Sequence, residues 1–214
     1  MRSKFEEQLK ELNREMIEMS NRIVQSIADA VEALNDRDVS LAKRIMDSDR
    51  EIDHQQKKIE RTCFNLLVQQ QPVARDLRTV TAAMKMVTDM ERIGDHAADI
   101  SEMTILMGQD NLIENFMCIK RMSAETMLML NHALEAYVEK DRKKAEEVIK
   151  HDDIVDELFI DAKKDIIKLV IENPQEGEKA MDLLMVAKYF ERIGDHATNI
   201  SEWVIYSINQ NTGE

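Results

Sequence analysis

The residues best suited to chemistry are acids that occur in two matched sets. Glu91, Asp95 and Asp99 stand at i, i+4 and i+8, and Glu191, Asp195 and Asn199 repeat that spacing one hundred residues later. Side chains four apart share a helix face, so each set lines one stripe. Asp49 with Asp53, and Asp152 with Asp156, add two further i, i+4 pairs. Like charges at this spacing are unfavourable by roughly 0.2–0.5 kcal/mol per pair. Their presence in both halves therefore points to a cationic counterpart. Oxygen ligands suit hard cations such as Mg²⁺ or Ca²⁺, and also Mn²⁺ or iron. The neighbouring His96 and His196 shift that preference toward Zn²⁺ or iron. An ordinary solvated face explains the same acids, because a rotation of 100° per residue sets Asp95 opposite the apolar seam of Ile93, Ala97 and Ile100. Arg92 and Arg192 lie within a turn and offer internal counter-charges. Spacing alone leaves both readings open. Asn199 is a neutral amide where the first set has a carboxylate, so the second set is expected to attract cations less strongly or to coordinate them differently.

Other chemistries find less support. A di-iron carboxylate bundle needs two ExxH pairs facing inward, and the chain offers only Glu51 to His54, with no counterpart at Ile154 to Glu157. No GxSxG, HExxH or Walker-type glycine loop is present. Cys63 and Cys118 lack CxxC spacing, which fits a reducing compartment. The charge balance is 29 basic against 42 acidic residues, a net −13, which excludes a nucleic-acid groove and favours cationic partners. The charged N-terminal stretch Met1–Glu11 does not read as a signal peptide, and no apolar run is long enough to span a bilayer. A cytoplasmic, non-enzymatic protein is expected.

The elements that position the acids follow from composition and period. Five glycines and two prolines in 214 residues, with 33% charged residues, describe long amphipathic helices and no sheet. The hexapeptide Glu91–His96 recurs letter for letter as Glu191–His196. Upstream, Ala33, Asp38, Ala42, Asp49 and Asp53 match Ala136, Asp141, Ala145, Asp152 and Asp156 at an offset of 103, so the second copy lacks three residues near Pro72 and Pro174. Apolar stripes at 3–4 spacing predict three helices per copy. The first runs from Leu9 to Leu34 and breaks near Asn35–Asp36, the second from Leu41 to Leu66, and the third from Met86 to Met107, capped by Gly108. In the second copy, Val148 to Leu169 and Val186 to Val204 repeat the second and third stripes. The expected architecture is all-α, with six long antiparallel helices in two tandem three-helix bundles, 1–109 and 110–214, joined near 108–112. Gly94 and Gly194 fall inside helices and mark close helix packing.

Two three-helix copies carrying Glu-Arg-Ile-Gly-Asp-His-Ala, with Gln70-Gln71-Pro72-Val73-Ala74-Arg75-Asp76-Leu77-Arg78 entering the first such helix, resemble the PhoU family over essentially the whole chain. The resemblance implies a cytoplasmic homodimer that negatively regulates phosphate uptake and damps phosphate-starvation signalling. It implies two partners, the ATPase subunit of the phosphate ABC transporter and a phosphate-sensing histidine kinase. No cofactor is required, but some members carry metal clusters on their acidic faces. Carried over, the ligands here would be Asp49, Asp53, Glu91, Asp95 and Asp99, then Asp152, Asp156, Glu191, Asp195 and Asn199. The alternative is a divalent-metal sensor or buffer on the same scaffold.

Overall fold

The computed structural model describes residues 2–70, 74–108 and 116–208, and among them there are six long helices and no strand. These are α1 (Arg2–Asp36), α2 (Val39–Gln70), α3 (Ala74–Met107), α4 (Met117–Glu139), α5 (Arg142–Glu172) and α6 (Gly177–Ile208). A short 3-10 turn, Pro174–Glu176, leads into α6. The 35 residues of α1 extend about 52 Å. Pro72, Val73 and most of the expected join at 108–112 lie outside the described residues.

The two copies turn between their first and second helices by the same device. Arg37 and Lys140 end α1 and α4 in the left-handed region, with φ of 57° and 55°. The next residue, Asp38 or Asp141, donates its backbone N–H to Ala33 or Ala136, each at 3.0 Å. Its side chain then accepts the first free N–H groups of the following helix: Ser40 and Leu41 at 2.9 Å, and Lys143 and Lys144 at 2.9 and 3.2 Å. The matched aspartates 38 and 141 are therefore N-caps and not part of a site. Asp141→Ala is expected to cost about 1 kcal/mol, read as a lower denaturation midpoint with an unchanged slope. Gly108 closes α3 as its position predicted, with φ of 60° and its N–H on the Thr104 carbonyl at 3.2 Å.

The predicted stripes are the core. Leu12, Met16, Met19, Ile23 and Ile27 of α1, Ile52, Ile59 and Leu66 of α2, and Met86, Met90 and Ile93 of α3 are fully buried. In the second copy Val148, Val155 and Ala162 of α5 face Val186, Phe190, Ile193 and Ala197 of α6 in the same way. Within each copy the three helices pack pairwise, and the most extensive contact in the molecule is between α3 and α6, the two motif helices. The buried residues of both copies form one contiguous cluster. Tyr137 of α4 also reaches across, its hydroxyl donating to Asn13 Oδ1 of α1 at 2.7 Å.

Candidate functional site

In the first copy, α2 contributes Asp49 and Asp53, and α3 contributes Glu91 and Asp95. Asp49, Asp53 and Asp95 each bring a carboxylate oxygen within 4.8 Å of the other two. The stripe is therefore not in open solvent: it lies along the α2–α3 seam, where the Glu91 side chain is 17% exposed and that of Asp95 30%. Gly94 makes this approach possible. A Cβ there would sit 3.0 Å from both Cδ1 and Cγ2 of Ile52 and 3.6 Å from Asp49 Oδ1, so a side chain would push α2 away. Close packing is what the glycine serves.

The electrostatics reflect the crowding. Burial, followed by the charges of Asp95, Asp53 and Asp99, pushes Asp49 up to about 6. Burial also raises Glu91 and Asp95, the latter despite the ion pair that Arg92 makes with it at 3.0 Å. Asp49 Oδ1 is buried and has no hydrogen-bond partner. Arg92 and Lys57, the latter 3.9 Å from Asp53, balance the outer oxygens and leave this inner one unmatched.

The second copy repeats the plan with differences. Burial, then Asp156 and Asp195, pushes Asp152 up to about 6. Burial and Glu191 raise Asp195. Gly194 again permits the approach, with a Cβ placed 3.3 Å from Asp152 Oδ1. Asp156 and Asp195 are more open to solvent than their counterparts, and Lys188 pairs with Glu191. Position 88 in the first copy is threonine, so this resident ammonium belongs to the second cluster alone.

Asp99 and Asn199 were expected on these faces and are directed elsewhere. Eight residues advance a helix about 80° beyond whole turns, enough to carry both toward the α3–α6 contact. Asp99 accepts from His96 Nδ1 at 3.1 Å, though its charge still reaches Asp49. Asn199 donates to Asp89 of α3 at 3.1 Å. Asp89 and Tyr189 also reach this contact. They occupy equivalent positions but differ in type, so a search for matched residues discards them. Asp89 also pairs with His196 at 2.8 Å, and Tyr189 stacks on His96 with ring centroids 5.6 Å apart. Neither thiol is poised as a nucleophile. Burial pushes Cys63 up to about 12, and burial with the nearby Asp165 raises Cys118.

Comparison with known proteins agrees with this architecture. The family model for the PhoU domain matches residues 16–104 and 119–204, one match per copy. The phosphate-specific transport system accessory protein PhoU homolog of Clostridium acetobutylicum is 38% identical over 205 residues, covering 95% of this chain and 94% of that protein. The protein of the same name from Aquifex aeolicus is 36% identical, covering 88% of this chain and 86% of that one. Among solved structures, PhoU from Pseudomonas aeruginosa superposes with a TM-score of 0.89 at 29% identity, covering 95% of this chain and 98% of that chain. The phosphate transport system regulatory protein PhoU of Streptococcus pneumoniae gives 0.87 at 28% identity, covering 95% of this chain and 96% of that chain. Matched along both copies in sequence and in fold, the chain belongs to the PhoU family.

Proposed function

We propose that this protein is a phosphate-transport accessory protein that acts without catalysis, as a cytoplasmic homodimeric adaptor between the phosphate ABC transporter ATPase and a phosphate-sensing histidine kinase, damping starvation signalling when phosphate is plentiful. The observation that carries this reading is the end-to-end similarity to proteins named for accessory or regulatory roles in phosphate transport. Two further features support it. Among the described residues no helix is long and apolar enough to cross a membrane. The net charge of −13 also disfavours capture of free phosphate and favours basic protein faces. Deleting the gene is expected to switch on a phosphate-starvation reporter in phosphate-rich medium, and the tagged protein is expected to co-purify the transporter ATPase. A reporter that stays silent in the deletion strain would refute the regulatory reading.

The convergence of Asp49, Asp53 and Asp95 favours a cation-binding role within the same proposal. The donors are all oxygen, three of them meet, and Asp49 Oδ1 is buried and unmatched, so the residues fit a hard divalent ion. Asp49, Asp53, Glu91 and Asp95 would hold it in the first copy, and Asp152, Asp156, Glu191 and Asp195 in the second. Bound there, the ion would neutralise the crowded carboxylates and clamp α2 to α3, or α5 to α6. Lys188 already supplies part of that charge in the second copy. Lys188→Thr, which installs the first-copy residue, is expected to tighten Mn²⁺ binding at the second cluster about five-fold, the worth of an ion pair of roughly 1 kcal/mol. Calorimetric titration checks it, and an unchanged affinity would mean that Lys188 does not compete. If the transporter interaction itself required the ion, the protein would be a metal sensor, which co-purification with and without chelator distinguishes.

A further inference from the structure

The packing of α3 on α6 brings together two histidines that lie one hundred residues apart in sequence. The rings of His96 and His196 stand 5.7 Å apart between centroids, with their planes inclined by 30°. Each ring is held at Nδ1 by an aspartate, His96 by Asp99 at 3.1 Å and His196 by Asp89 at 2.8 Å. Asn199 braces the second aspartate with a hydrogen bond of 3.1 Å. An ionised carboxylate can only accept, so both Nδ1 atoms carry the proton, and in the neutral imidazole that leaves the lone pair on Nε2. His96 is 7% exposed, and its Nε2 is buried with no hydrogen-bond partner.

An unpartnered buried ring nitrogen is costly and calls for an explanation. Fixing one imidazole nitrogen with a carboxylate, which sets the tautomer and aims the other nitrogen, is the arrangement that supports metal-ligating histidines. Two imidazoles binding one ion through nitrogens at about 2.0–2.1 Å have ring centroids roughly 5–6 Å apart, which matches the spacing here. The carboxylates of Asp49, Asp53 and Asp95 meet at the α2–α3 seam, whereas these rings meet at the α3–α6 seam.

We propose that His96 and His196 together bind a borderline-soft divalent ion, Zn²⁺ or its analogue Co²⁺, that bridges α3 and α6. Asp99 and Asp89 are the positioning residues, and water completes the coordination. Such an ion joins the two copies directly, as neither acidic cluster does. The site does not depend on whether the acidic clusters bind metal.

The test uses full-length protein carrying D49N, D95N, D152N and D195N, which disables both acidic clusters. Calorimetric titration with Zn²⁺ is expected to show one ion per chain, and Co²⁺ is expected to give the visible absorption of an imidazole-ligated ion. Adding H196Q is expected to weaken Zn²⁺ binding at least ten-fold with helix content unchanged by circular dichroism. Adding H196C is expected to restore binding, because cysteine also ligates Zn²⁺, whereas a histidine with only a packing role would not be rescued. Zn²⁺ binding that survives H196Q, or no stoichiometric uptake by the four-site variant, would overturn the proposal. If those variants fail to fold, ring-nitrogen NMR on the wild type decides. One equivalent of Zn²⁺ should shift Nε2 of both His96 and His196, and titration that moves neither would overturn the site.

Discussion

In chelator-treated protein, replacing Asp49 and Asp152 together by asparagine is expected to raise stability at about pH 7.5 by roughly 1–2 kcal/mol, even though it removes two native side chains. Both carboxyls lie in crowded seams that push them from 3.8 up to about 6. The folded state therefore holds these protons more tightly than the unfolded chain does. Stability is greatest below the unfolded value, falls as pH rises toward about 6, and levels off above it. The full shift overstates the cost because both groups are part-exposed and screened, so roughly 1 kcal/mol each is the working figure. The wild type should melt several degrees lower at about pH 7.5 than at about pH 5, and the asparagine variant should lose most of that slope. A divalent cation should raise the wild-type melting temperature at the higher pH and do little for the variant, since a bound ion stabilises only the state that holds it. Differential scanning calorimetry at the two pH values, with and without Mn²⁺, checks all three expectations. A wild type with no pH slope would show that the clusters stay ionised without penalty.

Gly94→Val is expected to destabilise the protein by roughly 2 kcal/mol, within the usual range for overpacking a tight contact. The added Cβ would meet Ile52 at 3.0 Å through two of its carbons, and Ile52 is itself 1% exposed and branched, with no room to retreat. Relief requires α2 to move off α3, which parts Asp49 from Asp95. Cation affinity at the first cluster should fall together with stability. Gly194→Val should cost only about half as much, because its nearest neighbour is the end of the Asp152 side chain at 3.3 Å, followed by Val155 at 3.6 Å and the flexible Met129 at 3.8 Å. Denaturation midpoints for the two variants, with Mn²⁺ titrations beside them, read out both effects. Equal losses at the two glycines would show that backbone conformation, and not the Ile52 contact, sets the cost.

The helices were legible because their signals are local. Each apolar stripe repeats every three to four residues, and the matched Asp38 and Asp141 cap the same turn in each copy. The pairing of Asp49 and Asp53 with Asp95 was half legible. Duplication marked the residues, but their spacing along single helices suited a solvated face equally well, and only the α2–α3 packing turned the stripe into a seam. Asp99 and Asn199 were assigned to those faces by spacing, and about 80° of helix rotation turns them toward the α3–α6 contact, where Asp99 meets His96 and Asn199 meets Asp89.

By itself the sequence determined that the chain is helical, twofold in plan and acidic, because period, composition and repetition are properties of the chain and need no partner surface. Tertiary structure alone decided that α3 packs against α6, that His196 finds Asp89 while His96 finds Asp99, and that Asp49 is left with an unmatched oxygen. Those outcomes depend on which faces of different helices meet, and on side chains one hundred residues apart arriving at one place. No local pattern encodes that, because the helical period fixes a residue's direction on its own axis and not what stands opposite it.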